Sequence, residues 1–229
     1  MTVTPIYYDD LGTADYGWLK ARYHFSFANY YNPERMGLGP LRVINDDIID
    51  AGRGFPPHDH DNMEIITFVR QGAITHKDSM GNEGRTAAGD IQVMRAGSGI
   101  THSEYNLEDE KTRLYQIWVT PRTKNLEPAW KAKEMPRHVE GDTLPLLVSG
   151  DGKAPLDIDQ NVWIYGGRLS AEQEVTHNLN KWAYLLVSEG EISFSGKTLK
   201  MGDALQITGE SMLTLRAKTP AEVLLLTGT

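Results

Sequence analysis

The sequence predicts an all-β chain of two antiparallel β-barrels, on three observations. Strand-length apolar runs recur from end to end, glycine-rich turns separate them, and the second half echoes the first. In order, the runs are LRVINDDII, MEIITFV, DIQVM, RLYQIWV, VWIYGGRL, WAYLLV, EISF and EVLLL, rich in β-branched and aromatic residues. Between them fall QGA, MGNEG, AAGD, RAGSG, VSGDG, SEG, FSG and MGD, whose glycines tolerate the backbone angles of tight reversals. Helical periodicity is scarce, and Leu126 to Glu134 is the best short candidate.

The echo pairs MEIITFVRQGAIT and AAGDIQVM with WAYLLVSEGEISF and LKMGDALQI. Each reads strand, Gly turn, strand, Gly-Asp turn, strand. The repeat is too long for a solenoid, so it predicts two homologous barrels divided near Met135, where PRHVEGD interrupts the pattern. Residues 1–134 would form the first domain and 135–229 the second.

Charge and composition narrow the function. With 23 Lys+Arg against 31 Asp+Glu the net charge is -8, and no basic cluster exists to track a phosphate backbone, which disfavours direct nucleic-acid binding. Cysteine is absent, removing disulfides, thiolate ligands and cysteine nucleophiles together. The start MTVTPIYYDDLG lacks a basic, then apolar leader, and no run reaches the roughly eighteen apolar residues of a membrane span, so the expected location is the cytoplasm.

The chemistry concentrates in two short pincers. In an extended segment alternate side chains share a face, so His58 and His60 of PPHDHDNMEI point the same way. His102 and Glu104 of GITHSEY repeat that spacing, giving three nitrogens and one oxygen in all. Such donors suit Fe2+, Mn2+, Co2+, Ni2+, Cu2+ or Zn2+, whereas calcium and magnesium prefer oxygen shells. Four protein donors leave a position open on a five- or six-coordinate ion; a closed zinc site, the alternative, usually recruits cysteine. Glu64 is a rival carboxylate, but it shares the His58/His60 face only if the strand continues unbroken through Asp61 to Met63. His24, His76 and His138 read individually as solvated polar side chains, with turn hydrogen bonding competing with function at His76.

These residues carry a family resemblance. GRGFPPHDHDNME resembles the first cupin motif and GDIQVMRAGSGITHSE the second, with Arg95 where proline is usual. HFSFANYY, LRVINDD, THKDSMG and QVMRAGSGITHSE are similar more narrowly to the pirin family of bicupins. The resemblance implies two double-stranded β-helix (jelly-roll) domains, the first holding one metal ion, usually iron. Its ligands would be His58, His60, His102 and Glu104, whereas an ordinary cupin would use Glu64. For several bacterial members it implies a quercetin 2,3-dioxygenase activity, in which dioxygen opens the central ring of the flavonol and carbon monoxide is released. Glu104 would accept the substrate's hydroxyl proton. For eukaryotic members it implies instead a metal or redox sensor that binds a protein partner, and a metal-dependent isomerase is a more distant reading.

Asn45, Phe68, Gln116 and Trp118 lie on strand-like runs that could line the pocket, with core packing the alternative, and Glu64 would orient a ligand histidine. Aligning Gly72 with Gly190 puts Thr176, Asn178 and Trp182 where the first barrel has His58, His60 and Glu64, and leaves His177 out of phase. The second barrel is therefore expected to hold no metal.

Overall fold

The computed structural model describes residues 2–229, which divide into two compact units. One comprises residues 12–134 and 156–160; the other comprises 2–11, 135–155 and 161–229. Strand pairing, not chain continuity, sets this division. Thr2–Ile6 pairs antiparallel with Ala204–Thr208, so the first residues expected in the N-terminal domain belong to the C-terminal unit. Residues 156–160 join the N-terminal unit through Asp157 and Asp159, which pair with Arg95 and Arg122.

The N-terminal unit is built from two antiparallel sheets. The larger runs Ala129–Lys133, Ile91–Arg95, Glu64–Gln71, Thr112–Val119, Leu41–Ile49, Leu19–Tyr23, Gly12–Asp15; the smaller runs Gly54–His60, Ile100–Tyr105, Ala73–Asp78, Glu83–Ala87. The C-terminal unit repeats the plan. Ala204–Thr208, Trp182–Glu189, Ala221–Gly228 and Val162–Leu169 follow one another in its larger sheet, while its smaller sheet runs Glu174–Asn178, Met212–Ala217, Glu191–Phe194, Lys197–Lys200. Glu64–Gln71 and Trp182–Glu189 lie between other strands and are buried on both faces, which is why they read as continuous apolar runs. Met212–Ala217 has one wet face and alternates exposed and buried.

No α-helix occurs among the described residues. The expected helix near Leu126 to Glu134 is instead the strand Ala129–Lys133, with Trp130 opposite Met94. Its backbone completes the edge of the larger sheet, and the Trp130 ring stacks on His76 at 4.9 Å and 5°. Those contacts outweigh a weak local helix propensity.

A row of side chains distinguishes the two interiors. Across the N-terminal sheet Asn45 pairs with Gln116, Gln116 with Thr67 and Thr67 with Gln92. Counting from Gly72 and Gly190 for one and from Gly89 and Gly202 for the other, the C-terminal counterparts of Thr67 and Gln92 are Leu185 and Leu205, in a row that continues from Leu185 through Leu225 to Tyr165. Leu185, Leu205 and Leu225 are fully buried in one apolar cluster with Leu213 and Leu215, each side chain contributing about 1.5–3 kcal/mol. The N-terminal unit keeps a polar stripe where the C-terminal unit fills its core.

His24, expected to be solvated, is sealed inside the N-terminal unit against Tyr115. Burial, followed by the charges of Arg35 and Arg70, lowers its pKa from 6.5 to about 3. The unfolded chain therefore binds a proton below pH 6.5 that the folded chain refuses, so stability falls as pH drops from 6.5 toward 3. Between pH 7 and pH 5 this histidine should cost about 2 kcal/mol. Urea midpoints at the two pH values should show that loss in the wild type and a correspondingly smaller one in His24→Phe.

Candidate metal centre

The two pincers meet across the strand pair Gly54–His60 and Ile100–Tyr105, where His58 lies opposite His102 and His60 opposite Ile100. Between His102 and Glu104 the register slips, because Glu104 pairs with Phe55 and two prolines, Pro56 and Pro57, face the single residue Ser103. Such a bulge is a position where proline is tolerated, since a ladder donor is already lost there. It also frees the Pro56 carbonyl to accept from His58 Nδ1 at 2.8 Å, which leaves His58 Nε2 as a bare lone pair.

The three imidazoles converge. Ring centroids are 4.8 Å apart for His58 and His60, 4.4 Å for His58 and His102, and 5.1 Å for His60 and His102. One nitrogen from each lies within 4.8 Å of the others. His60 Nε2 and His102 Nε2 are buried with no hydrogen-bond partner in the protein. Burial followed by the neighbouring His58 lowers the pKa of His60 to about 4; burial followed by His58, His60 and His76 lowers that of His102 to about 3. Orphaned, neutral imidazole nitrogens facing one another fit a divalent transition-metal ion.

Glu104 descends onto the polar row of the opposite sheet. Its Oε1 accepts from Gln92 Nε2 at 2.7 Å and Thr67 Oγ1 at 3.2 Å, and its Oε2 accepts from Gln116 Nε2 at 2.8 Å. Both amides are themselves oriented: Thr86 Oγ1 donates to Gln92 Oε1 at 2.8 Å and Trp118 Nε1 to Gln116 Oε1 at 3.2 Å. Each amide NH2 group is thereby turned toward the carboxylate. A carboxylate oxygen of Glu104 also lies within 4.8 Å of donor nitrogens of His102 and His76, forming a second group that overlaps the first.

Glu64 is elsewhere. The chain turns after His60, with Asn62 at a φ of 47°, and crosses into the larger sheet. Thr67 faces Glu104, so alternation directs Glu64 and Phe68 to the opposite face, which removes both from the expected pocket. Glu64 is fully buried and accepts from Arg95 Nε at 3.0 Å and from the backbone N–H of Asp159 at 3.1 Å. Arg95, which stands where the cupin motif has proline, is its partner. Even so, burial pushes the Glu64 carboxyl up.

Gln116 donates to Glu104, and Asn45 lies opposite Gln116 in the same row. Beside Asn45, Asp47 escaped the sequence reading although its acidic pair interrupts the apolar strand LRVINDDII. Both have a buried side-chain oxygen without a partner, and burial, then Asp46 and Glu104, push the Asp47 carboxyl well up. Trp118 meets His60 edge to face at 4.9 Å, and Phe27 meets Trp118 likewise at 5.4 Å, giving the histidine cluster an aromatic flank. A surface depression of about 340 Å³ lined by His60, Asp61, Ser79 and Thr101 among others opens beside it.

In the C-terminal unit the inward residues of Glu174–Asn178 are Val175 and His177, opposite Leu215 and Leu213. His177 is thus in phase with the interior, and Thr176 and Asn178 are not, because a one-residue shift of register exchanges the faces. His177 Nε2 accepts from the backbone N–H of Leu144, and its ring lies 4.9 Å from that of Tyr165. Among the described residues no group of three metal donors forms there.

Two antiparallel sandwiches of matching strand order, one carrying a histidine cluster in its mouth, define a bicupin. Comparison with known proteins places the chain within that class. It belongs to the pirin family. Residues 7–119 match the family model described as pirin, and residues 146–227 match that of the quercetinase C-terminal cupin domain. A pirin-like protein of Caulobacter vibrioides is 47% identical over 223 residues, spanning 96% of each chain. A quercetin 2,3-dioxygenase of Escherichia coli K12 is 38% identical over 221 residues, spanning 95% of this chain and 94% of that one. The bacterial pirin YhhW of Escherichia coli, solved in complex with nickel(II), superposes with a TM-score of 0.91 at 36% identity over 98% of both chains.

Proposed function

We propose that this chain is a metal-dependent dioxygenase that opens the central ring of a flavonol such as quercetin with release of carbon monoxide. The observation that carries the reading is the convergence of three imidazoles beside a carboxylate whose donors fix its orientation. His58, His60, His102 and Glu104 would hold one divalent ion, with Fe2+ favoured over Mn2+, Co2+, Ni2+, Cu2+ or Zn2+. When bound, that ion supplies an electrophilic centre that acidifies a substrate hydroxyl and a redox centre for dioxygen. Similarity to proteins named quercetin 2,3-dioxygenase, and to one solved with nickel(II), supports both parts.

The chain's own residues do the rest. Glu104 accepts the hydroxyl proton on a carboxylate oxygen, and Gln92, Thr67 and Gln116 hold the carboxylate in place. Trp118 and Phe27 offer ring faces and edges against which a flat aromatic substrate packs. The N-terminal unit is the metal-bearing domain; the C-terminal unit, with leucines in place of the polar row, serves no metal. Among the described residues no helix is long and apolar enough to cross a membrane.

Protein reconstituted with Fe2+ should consume quercetin under air and release carbon monoxide, detected in the headspace. Metal-loaded protein that leaves quercetin intact would sink the substrate assignment. Gln92→Leu, which copies the C-terminal residue Leu205, removes the shorter of the two hydrogen bonds to Glu104 Oε1 and should weaken metal binding about 10- to 100-fold. Titration with Ni2+ measures that change.

A further inference from the structure

We infer that His76 and Asp78 are positioning residues that force His102 to present its Nε2 lone pair to the metal. The inference rests on the reading of His58, His60 and His102 as a metal centre. It starts from a chain of three buried side chains, Asp78, His76 and His102, of which the proposed chemistry itself uses only His102. His76 Nε2 lies 3.0 Å from Asp78 Oδ2, and His76 Nδ1 lies 3.4 Å from His102 Nδ1. All three side chains are nearly or fully buried.

The order of protons along this chain follows from its far end. Asp78 Oδ1 accepts from the backbone N–H groups of Met80 and Asn82, and Oδ2 accepts from Asn82 Nδ2, so the carboxylate is fixed as an acceptor. A single ring proton on His76 therefore sits on Nε2, and His76 Nδ1 becomes an acceptor. Opposite it, His102 Nδ1 must donate, which puts the His102 proton on Nδ1 and leaves Nε2 bare. That bare Nε2 is the orphaned atom facing His58 and His60. The His76 ring cannot easily turn over, because Trp130 lies parallel to it at 4.9 Å and itself rests on Gly84, where a Cβ would collide with the indole. Of the two nitrogen ligands donated by strand Gly54–His60, His58 is set by the Pro56 carbonyl at 2.8 Å. His102 receives the same instruction from a dyad 24 residues or more away in sequence.

Asp78→Asn tests the direction of the chain. The new amide keeps its oxygen on the two backbone N–H groups and turns its NH2 toward His76, which reverses every donor: His76 carries its proton on Nδ1, and His102 on Nε2. His76→Phe keeps the stack on Trp130 but removes the acceptor, and His76→Asn restores an acceptor near the Nδ1 position. The readout is the two-bond 1H–15N correlation spectrum of the histidine rings in metal-free protein at pH 7.5. We expect His102 as the Nδ1–H form in the wild type and in His76→Asn, a mixture in His76→Phe, and the Nε2–H form in Asp78→Asn. Ni2+ affinity should fall about 10- to 100-fold in Asp78→Asn and His76→Phe and stay near wild type in His76→Asn.

A wild-type His102 protonated on Nε2, a doubly protonated His76, or an unchanged tautomer in Asp78→Asn would each overturn the assignment. So would binding of two ions per chain, since the second would occupy His76, His102 and Glu104. Expected tautomers in a wild type that binds no Ni2+ would instead sink the metal reading alone.

Discussion

His60→Phe is expected to empty the metal centre and leave the metal-free protein at least as stable as the wild type. The phenyl ring can keep the edge-to-face contact with Trp118, now 4.9 Å between centroids, while the donor nitrogen is gone. Two nitrogens and a carboxylate remain. Affinity for Ni2+ or Fe2+ should fall by more than the 10- to 100-fold that losing a supporting hydrogen bond costs. In the metal-free state His60 Nε2 is a buried acceptor without a partner, a defect worth about 1–3 kcal/mol that phenylalanine removes. Elemental analysis of protein purified without added metal reads the first effect, and urea midpoints in chelator read the second. A residue selected for packing would give the opposite pair of results. Unchanged metal content in a folded His60→Phe would remove His60 from the ligand set.

Glu104→Gln and Glu64→Ala are expected to fail in opposite ways. Three donors converge on Glu104, so a glutamine there sets its own NH2 against the NH2 groups of Gln92 or Gln116. Metal content should drop, and any retained enzyme should cleave quercetin about 100- to 10,000-fold more slowly for want of the proton acceptor. Glu64→Ala leaves the metal site intact and instead strips an acceptor from Arg95 and from the Asp159 N–H. Its cost should be about 1.5–3 kcal/mol of stability, the usual contribution of hydrogen bonds to a charged group, with metal content unchanged. Loss of metal from a folded Glu64→Ala, with Glu104→Gln still loaded, would restore Glu64 as the ligand.

The contrast between these two glutamates shows how far local spacing carries. His58 with His60, and His102 with Glu104, were legible because two residues apart on one strand means the same face, whatever the rest of the fold does. Glu64 looked equivalent from its four-residue distance to His60, but the chain leaves the smaller sheet at Asn62 before reaching it. His76 read as a turn residue because its defining contacts are with Trp130, 54 positions on, and with His102 on the neighbouring strand. Leu126 to Glu134 read as a helix because the edge it completes belongs to a strand some 35 residues earlier.

The repeat was also visible, since strand, Gly turn, strand, Gly-Asp turn and strand recur in the same order, yet its faces were assigned one residue out of step at His177. Glycine marks where a chain reverses and carries no information about which side chain then points inward.

By itself the sequence determined the all-β class, the doubling of the chain, and the two same-face pairs His58/His60 and His102/Glu104, all of which follow from periodicities of two or from turn residues acting locally. Only the tertiary structure decided that Gln92, Thr67 and Gln116 would cradle Glu104, that Arg95 would claim Glu64, and that Asp78 would reach His102 through His76. Those facts depend on the register between strands far apart in the chain, and register is a property of the packed sheets that no single segment encodes.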